Sequence, residues 1–352
     1  RPGTAENQQG AGLRHAGPHR GSGAVTQAEM GALTHHGGRI DAAKALFPDA
    51  PTPWLDLSTG INPVPWTPPT GLTVDAAPLP DRSALARLEA LAAAHFGVAA
   101  EHVAAVPGSE MALRLLPLLG VAEPIVAVQP SYGTHGVVAG LRVDHAALED
   151  WTGQAGSLLL ANPNNPDGVH RSADRLAVLA EAQARAGGWL IVDQAFADAM
   201  PGEDVIEGGR LVALRSFGKF FGLAGVRLGF VIAVPAILSR LRDWVGDWPV
   251  SAHAIAWGSA AYADRAWIAA TRIALVERAA ALDAVLARHG LIATGACPLF
   301  RMVETHEAPA IFQRLAANGI LVRPFADAPE RLRFGVPVAE DLPRLEEALR
   351  HG

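Results

Sequence analysis

Apolar positions along the chain change their period several times, and the changes mark out its elements. Leu85, Leu88, Leu91 and Ala92 recur at helical spacing, and Gly97 supplies a stop. Residues 102–106 read as a short strand. It leads through Pro107-Gly108-Ser109-Glu110 into a helix over 111–119, with Ser109 as its N-cap. Residues 125–128 and 143–145 predict two further strands. A clearer one, over 157–161, ends directly at Asn162-Pro163-Asn164-Asn165-Pro166-Asp167-Gly168. The alternation then repeats, with a helix over 171–186 and a strand over 189–192 ending at Asp193. A strand over 211–214 ends at Arg215-Ser216-Phe217-Gly218-Lys219, and another covers 227–233. This alternation predicts an α/β fold, a mostly parallel central sheet covered by helices. In such sheets ligands lie just past the strand ends, which singles out Gly108, Asn165, Asp193 and Ser216.

The texture differs at both ends. Residues 237–245 and 251–288 read as long alanine-rich helices, and 299–303, 320–322 and 332–335 as short strands. With helices over 308–317 and 342–349, they make a smaller α+β domain. Residues 48–69 are too dense in proline for one helix and predict an extended arm with turns, including a short strand over 54–57. The expected organisation is a flexible extension over 1–33, an arm over 34–70, a large domain over 71–245 and a small domain over 246–352. The length of 352 residues fits two domains at about 150 residues each.

Composition narrows the class. Hydrophobic residues make up 50% and charged residues 18%, enough apolar material for a sizeable core. The 36 glycines and 26 prolines are too many for a plain helix bundle, and no three-residue glycine period exists, which excludes collagen. A net charge of −6 argues against a nucleic-acid-binding protein. No apolar run of about 18 residues occurs, so no membrane span is expected. The lone Cys297 cannot form an intramolecular disulfide, fits a reducing cytoplasm and reads as a half-buried small apolar side chain. His35 and His36 are adjacent but lack a third ligand, so no metal is expected.

Several residues carry candidate chemistry. Lysine is scarce, and Lys219 sits in Gly218-Lys219-Phe220-Phe221, where apolar surroundings disfavour its ammonium form. That suits imine formation with an aldehyde cofactor. A stem laid along apolar residues with its head in solvent fits the same context. Arg227 follows eight residues later, between glycines that allow close approach of an anion, or forms an ordinary ion pair. Asp193 ends a strongly apolar strand and needs a partner, either a protonated ring nitrogen or the next segment's backbone. Asn165 could donate to a phenolate oxygen or hold its turn. The backbone of Gly108, Ser109 and Glu110 and the Ser109 hydroxyl could bind a phosphate. Tyr132, one of two tyrosines, could stack on an aromatic ring. The order of these features along the chain is what a pyridoxal phosphate site requires.

From about Trp54 onward, the chain resembles the fold-type I pyridoxal-phosphate enzymes of the aspartate aminotransferase superfamily. The motifs are Asn165-Pro166-Asp167-Gly168, Asp193-Gln194-Ala195-Phe196, Ser216-Phe217-Gly218-Lys219 and Gly225-Val226-Arg227-Leu228-Gly229. The resemblance implies pyridoxal 5′-phosphate joined to Lys219 as an imine, with Asp193 on its ring nitrogen, Asn165 on its hydroxyl and Tyr132 on its face. It implies Gly108, Ser109, Glu110, Ser216 and Arg227 around the cofactor phosphate, and Arg333 on the substrate carboxylate. His36-Gly37-Gly38-Arg39 and Ser58-Thr59-Gly60-Ile61-Asn62-Pro63 resemble the branch of threonine-phosphate decarboxylases of cobalamin synthesis. The substrate-binding residues expected are His36, Gly38, Ile61, Asn62, Asn165, Arg323 and Arg333. The implied substrate is a small phosphorylated amino acid, and the implied assembly a homodimer. A histidinol-phosphate aminotransferase and a noncatalytic cofactor-binding protein stay open as alternatives. Two positions depart from the pattern: Phe196 and Leu79 stand where many relatives carry tyrosine. The first removes a hydroxyl from the cofactor's ring oxygen, and the second a contact to the partner subunit's cofactor phosphate.

Overall fold

The computed structural model describes residues 31, 33, 34, 36–200 and 209–350. The extension expected over 1–33 lies almost wholly outside these residues, as does His35. Two sheets organise the chain. The larger has seven strands in the order β2-β8-β7-β6-β5-β3-β4. They are β2 (Val103–Val106), β3 (Ile125–Gln129), β4 (Leu141–Asp144), β5 (Ser157–Ala161), β6 (Leu190–Asp193), β7 (Leu211–Ser216) and β8 (Gly229–Ile232). The neighbours from β4 through β7 pair in parallel, and β8 runs antiparallel to both β7 and β2. Every residue of β5 and β6 is buried. Helices covering both faces account for their continuous apolar runs, since a parallel sheet offers neither face to water.

The smaller sheet has the order β1-β11-β12-β10-β9. Its C-terminal strands are β9 (Ala293–Thr294), β10 (Phe300–Glu304), β11 (Ile320–Pro324) and β12 (Arg331–Gly335). The edge strand β1 (Leu55–Leu57) comes from the proline-rich arm and pairs in parallel with β11, Leu55 opposite Ile320. The arm is thus tied to the C-terminal unit. Leu33, Ala43 and Leu57 pack in the same apolar cluster as Phe312, Leu315 and Phe334.

The structure departs from the sequence expectation at several points. The division at 245/246 moves, because the helix Ala252–Ala263 packs with the helix Arg82–Phe96 against the larger sheet. The helix Arg265–Arg288 spans both units: Ile268 and Leu275 belong to the large cluster, Leu282 and Leu286 to the small one. Asp264 separates these two helices, accepting from Trp267 N at 3.0 Å and from Trp66 Nε1 at 3.2 Å. The second difference is Ser109, which is the first residue of the helix Ser109–Leu115 and not its cap; Gly108 takes the cap position at φ 91°. The third is the helix Gly133–Val138, which the spacing of apolar residues did not reveal. Among the described residues, no helix is long and apolar enough to cross a membrane.

Candidate active site

The C-terminal ends of β5, β6 and β7 meet at a cavity of about 210 Å³. Its wall includes Gly108, Ser109, Glu110, Tyr132, Asn165, Asp193, Ser216, Lys219 and Arg227, all nine candidates the strand-end pattern and the resemblance assign to the cofactor. A second cavity, of about 490 Å³, shares Tyr132, Asn165, Phe196 and Lys219 with the first. Arg323, Arg333, Thr34 and His36 close its far side. Lys219 therefore stands between the two spaces.

Lys219 lies in the single-turn helix Phe217–Phe220, whose phenylalanines are buried. Burial, followed by the nearby Arg333 guanidinium, lowers its pKa from 10.5 to about 8. Its Nζ lies 5.7 Å from the centroid of the Phe196 ring. That ring packs edge-on against Phe300 at 5.0 Å, and Arg333 lies 5.1 Å over Phe300. Each cation thus faces an aromatic ring, and neither is paired with a carboxylate through these contacts.

Asp193 is held from two sides. Its Oδ1 accepts the Ala195 N–H at 3.0 Å, and its Oδ2 lies 3.0 Å from Nε2 of the fully buried His135. His135 was not among the sequence candidates. It sits one helical turn after Tyr132, in the helix whose N-cap is Tyr132, so the same element presents both side chains to the cavity region. The available signal was that three-residue interval.

At the opposite end, Arg227 has φ 56°, a positive value held by no other described non-glycine residue. A side chain rarely adopts this conformation unless its surroundings impose it. Arg227 closes the turn Ala224–Val226 and lies against Gly108, where a Cβ would come within 2.6 Å of its Nη2. Only glycine lets the guanidinium approach the Ser109 helix this closely. In the first turn of that helix, Ser109 and Glu110 N–H groups have no intrahelical acceptor. The Glu110 carboxylate is engaged elsewhere, accepting from Arg114 Nε at 2.8 Å and Thr134 Oγ1 at 3.0 Å. Burial, with Glu110 nearby, pushes the Tyr132 phenol up to about 12, so its hydroxyl keeps its proton near neutrality.

Arg333 is buried at 6% exposure, in the middle of the small sheet. Its Nη1 donates to Asn165 Oδ1, and its Nη2 to the Ser58 carbonyl at 2.8 Å. Its Nε has no hydrogen-bond partner among the described residues. Burial, with Arg323 adding repulsion, lowers its pKa to about 9. A buried guanidinium with a spare donor suits a carboxylate ligand. Arg323 Nη2 donates to the Thr34 carbonyl at 2.8 Å, and burial lowers its pKa to about 10.

Three expected substrate residues are placed elsewhere. Gly38, Ile61 and Asn62 border a separate recess with Gly335 and Val336. Asn62 is 2% exposed, and its side chain is spent on Phe220 O at 2.9 Å and Val64 N at 3.0 Å. Its N–H donates to Lys219 O at 2.9 Å, so it braces the lysine helix from behind. The Gly38 N–H is likewise taken, by Ser58 Oγ.

Residues 70–351 match the family model of aminotransferase class I and II, and the chain belongs to this family. It is 40% identical over 331 residues to a threonine-phosphate decarboxylase from a Sinorhizobium species, covering 91% of this chain and 98% of that one. A threonine-phosphate decarboxylase from Pseudomonas aeruginosa is 35% identical over 328 residues, covering 90% and 97%. Among solved structures, the histidinol-phosphate aminotransferase of Sinorhizobium meliloti, in complex with pyridoxal-5′-phosphate, shares the fold. Its TM-score is 0.74 at 20% identity, over 88% of this chain and 94% of that one.

Proposed function

We propose that the chain is a pyridoxal-phosphate-dependent threonine-phosphate decarboxylase, converting L-threonine O-3-phosphate to (R)-1-amino-2-propanol O-2-phosphate and carbon dioxide. The observation that carries this reading is the 40% identity to a threonine-phosphate decarboxylase over nearly the full length of both chains. The donor set fits the cofactor. Arg227 and the first turn of the Ser109 helix offer cationic and N–H donors to a phosphate, and Asp193 offers a carboxylate to a ring nitrogen.

Pyridoxal phosphate, when bound, supplies an electron-withdrawing ring that accepts the electron pair of a bond broken at the substrate Cα. Asp193, fixed by His135 and the Ala195 N–H, holds a proton at the ring nitrogen. Tyr132 would cover the ring, Asn165 would serve its hydroxyl, and Ser109, Ser216 and Arg227 would hold the phosphate. Phe196 leaves the ring oxygen without a second hydroxyl donor. On the substrate side, Arg333 grips the carboxylate through its guanidinium fork. Arg323 and His36 line the same cavity and supply the charge and donors for the substrate phosphate. The Lys219 ammonium, made more acidic by its lowered pKa, would return a proton to Cα after carbon dioxide leaves. Which bond at Cα is broken would depend on how the substrate carboxylate is oriented. Arg333, anchored on Ser58 O and Asn165, sets that direction.

A homodimer in the cytoplasm, serving cobalamin synthesis, completes the reading. The test is incubation of the holoenzyme with L-threonine O-3-phosphate and no keto acid, measuring the phosphorylated amine. Turnover of histidinol phosphate with 2-oxoglutarate, and none of threonine phosphate, would reassign the chain as an aminotransferase.

A further inference from the structure

In the arm motif Ser58-Thr59-Gly60-Ile61-Asn62-Pro63, Ser58 hydrogen-bonds through its N–H, its hydroxyl and its carbonyl. Ser58 is 2% exposed and joins three parts of the chain. Its hydroxyl accepts the Gly38 N–H at 2.7 Å and donates to Asp56 Oδ1 at 2.6 Å. Its own N–H donates to the same Asp56 oxygen at 2.9 Å. Its carbonyl accepts Arg333 Nη2 at 2.8 Å. The approach of the Gly37-Gly38 turn is close, since a Cβ on Gly37 would lie 2.4 Å from the Ser58 carbonyl oxygen.

What this turn carries faces the larger cavity. Thr34, His36 and Gly37 line it together with Arg323 and Arg333. The His36 ring lies 5.8 Å from that of Tyr132, and the Thr34 carbonyl accepts from Arg323. Gly38 and Thr34 are thus two attachment points of one wall, the first on Ser58 and the second on Arg323. Because Asp56 takes the hydroxyl proton, the Ser58 oxygen is oriented as an acceptor for Gly38, and the chain of bonds is polarised in one direction.

We propose that Ser58 is a positioning residue that holds the His36 wall of the substrate cavity in register with Arg333. The inference deepens the proposed function and rests on it for the identity of the substrate. Ser58 does not touch the reacting atoms; it acts through His36 and Gly37 on one side and Arg333 on the other. Its hydroxyl serves the wall and its carbonyl serves the arginine, so a side-chain substitution separates the two roles.

The experiment compares Ser58→Ala and Ser58→Thr holoenzymes with the unaltered protein. Loss of the hydroxyl should raise KM for L-threonine O-3-phosphate about tenfold, as the loss of one well-placed hydrogen bond does. The fall in kcat should be smaller, cofactor affinity should stay unchanged, and Ser58→Thr should restore KM. In a His36→Ala background the same Ser58→Ala change should add little, because both act through one wall. A kcat loss without a KM change, a loss of cofactor, or strictly additive effects would overturn the proposal. Hydrogen exchange supplies an arm independent of substrate identity. Ser58→Ala should release the Gly38 amide while leaving the peptide around Lys219 protected. Unchanged protection at Gly38 would overturn the role of Ser58 even in an active enzyme. Absence of carbon dioxide release by the unaltered protein would instead overturn the substrate reading and leave this exchange result to decide on Ser58.

Discussion

Arg333, on a strand of the smaller sheet, donates through Nη1 to the side-chain oxygen of Asn165, at the end of a strand in the larger one. This single bond joins the residue expected on the substrate carboxylate to the residue expected on the cofactor. Among the described residues, Arg333 also donates to the Ser58 carbonyl, and its Nε has no hydrogen-bond partner.

Arg333→Ala should therefore raise KM for an α-carboxylate substrate on the order of a hundredfold, the scale for removing one partner of a buried charge pair. Cofactor dissociation should change far less, because Arg227, Asp193 and the Ser109 helix are untouched. Equilibrium dialysis of the cofactor beside steady-state kinetics checks the split. Equal losses in both would place Arg333 on the cofactor.

His135→Ala should act in the opposite sense. It removes the partner of Asp193 Oδ2 in a buried setting, where leaving a polar group unsatisfied costs about 1–3 kcal/mol. The expected result is a roughly tenfold or greater rise in the cofactor dissociation constant, with His135→Asn retaining part of the affinity. Titration of apoprotein with pyridoxal phosphate, followed by absorbance, reads this directly.

The lysine gives a pH dependence with a definite sign. Burial and Arg333 lower the Lys219 pKa from 10.5 to about 8, so the amine becomes a nucleophile about two units earlier than an exposed lysine. The rate at which apoprotein captures the cofactor, trapped by borohydride, should rise with a midpoint near pH 8. In Arg333→Ala the midpoint should move upward, because a repelling charge is gone while the burial remains. For the apoprotein, the unfolded chain binds more protons at Lys219 than the folded one between about pH 8 and 10.5. Lys219 therefore lets stability rise with pH across that window, and Lys219→Met should remove its share of the slope. A thermal-unfolding series against pH measures the difference.

The central sheet was legible because its buried strands are mostly apolar runs with a polar residue at the exit. Asp193 and Ser216 lie where those runs stop. Short-range pattern could not show what assembles across long separations. β1 pairs with a strand more than 250 residues away, which placed the arm with the small sheet, and the helix Arg265–Arg288 changes cores midway along its length. His135 escaped notice because a lone histidine in a short polar helix has no signature until its partner is brought near. Asn62 misled for the converse reason: its motif was conspicuous, but its amide is consumed in bracing the lysine helix. Ser58, in the same motif, carries the connection that the spacing could not assign.

The proposed reaction breaks the Cα–carboxylate bond of a phosphorylated threonine. The most direct measurement follows L-[carboxyl-labelled]threonine O-3-phosphate with the holoenzyme in the absence of any keto acid. Labelled carbon dioxide and 1-amino-2-propanol phosphate are expected in equal amounts over many turnovers, and no product from Lys219→Ala. Retention of the label in substrate, under conditions where histidinol phosphate and 2-oxoglutarate exchange an amino group, would contradict it.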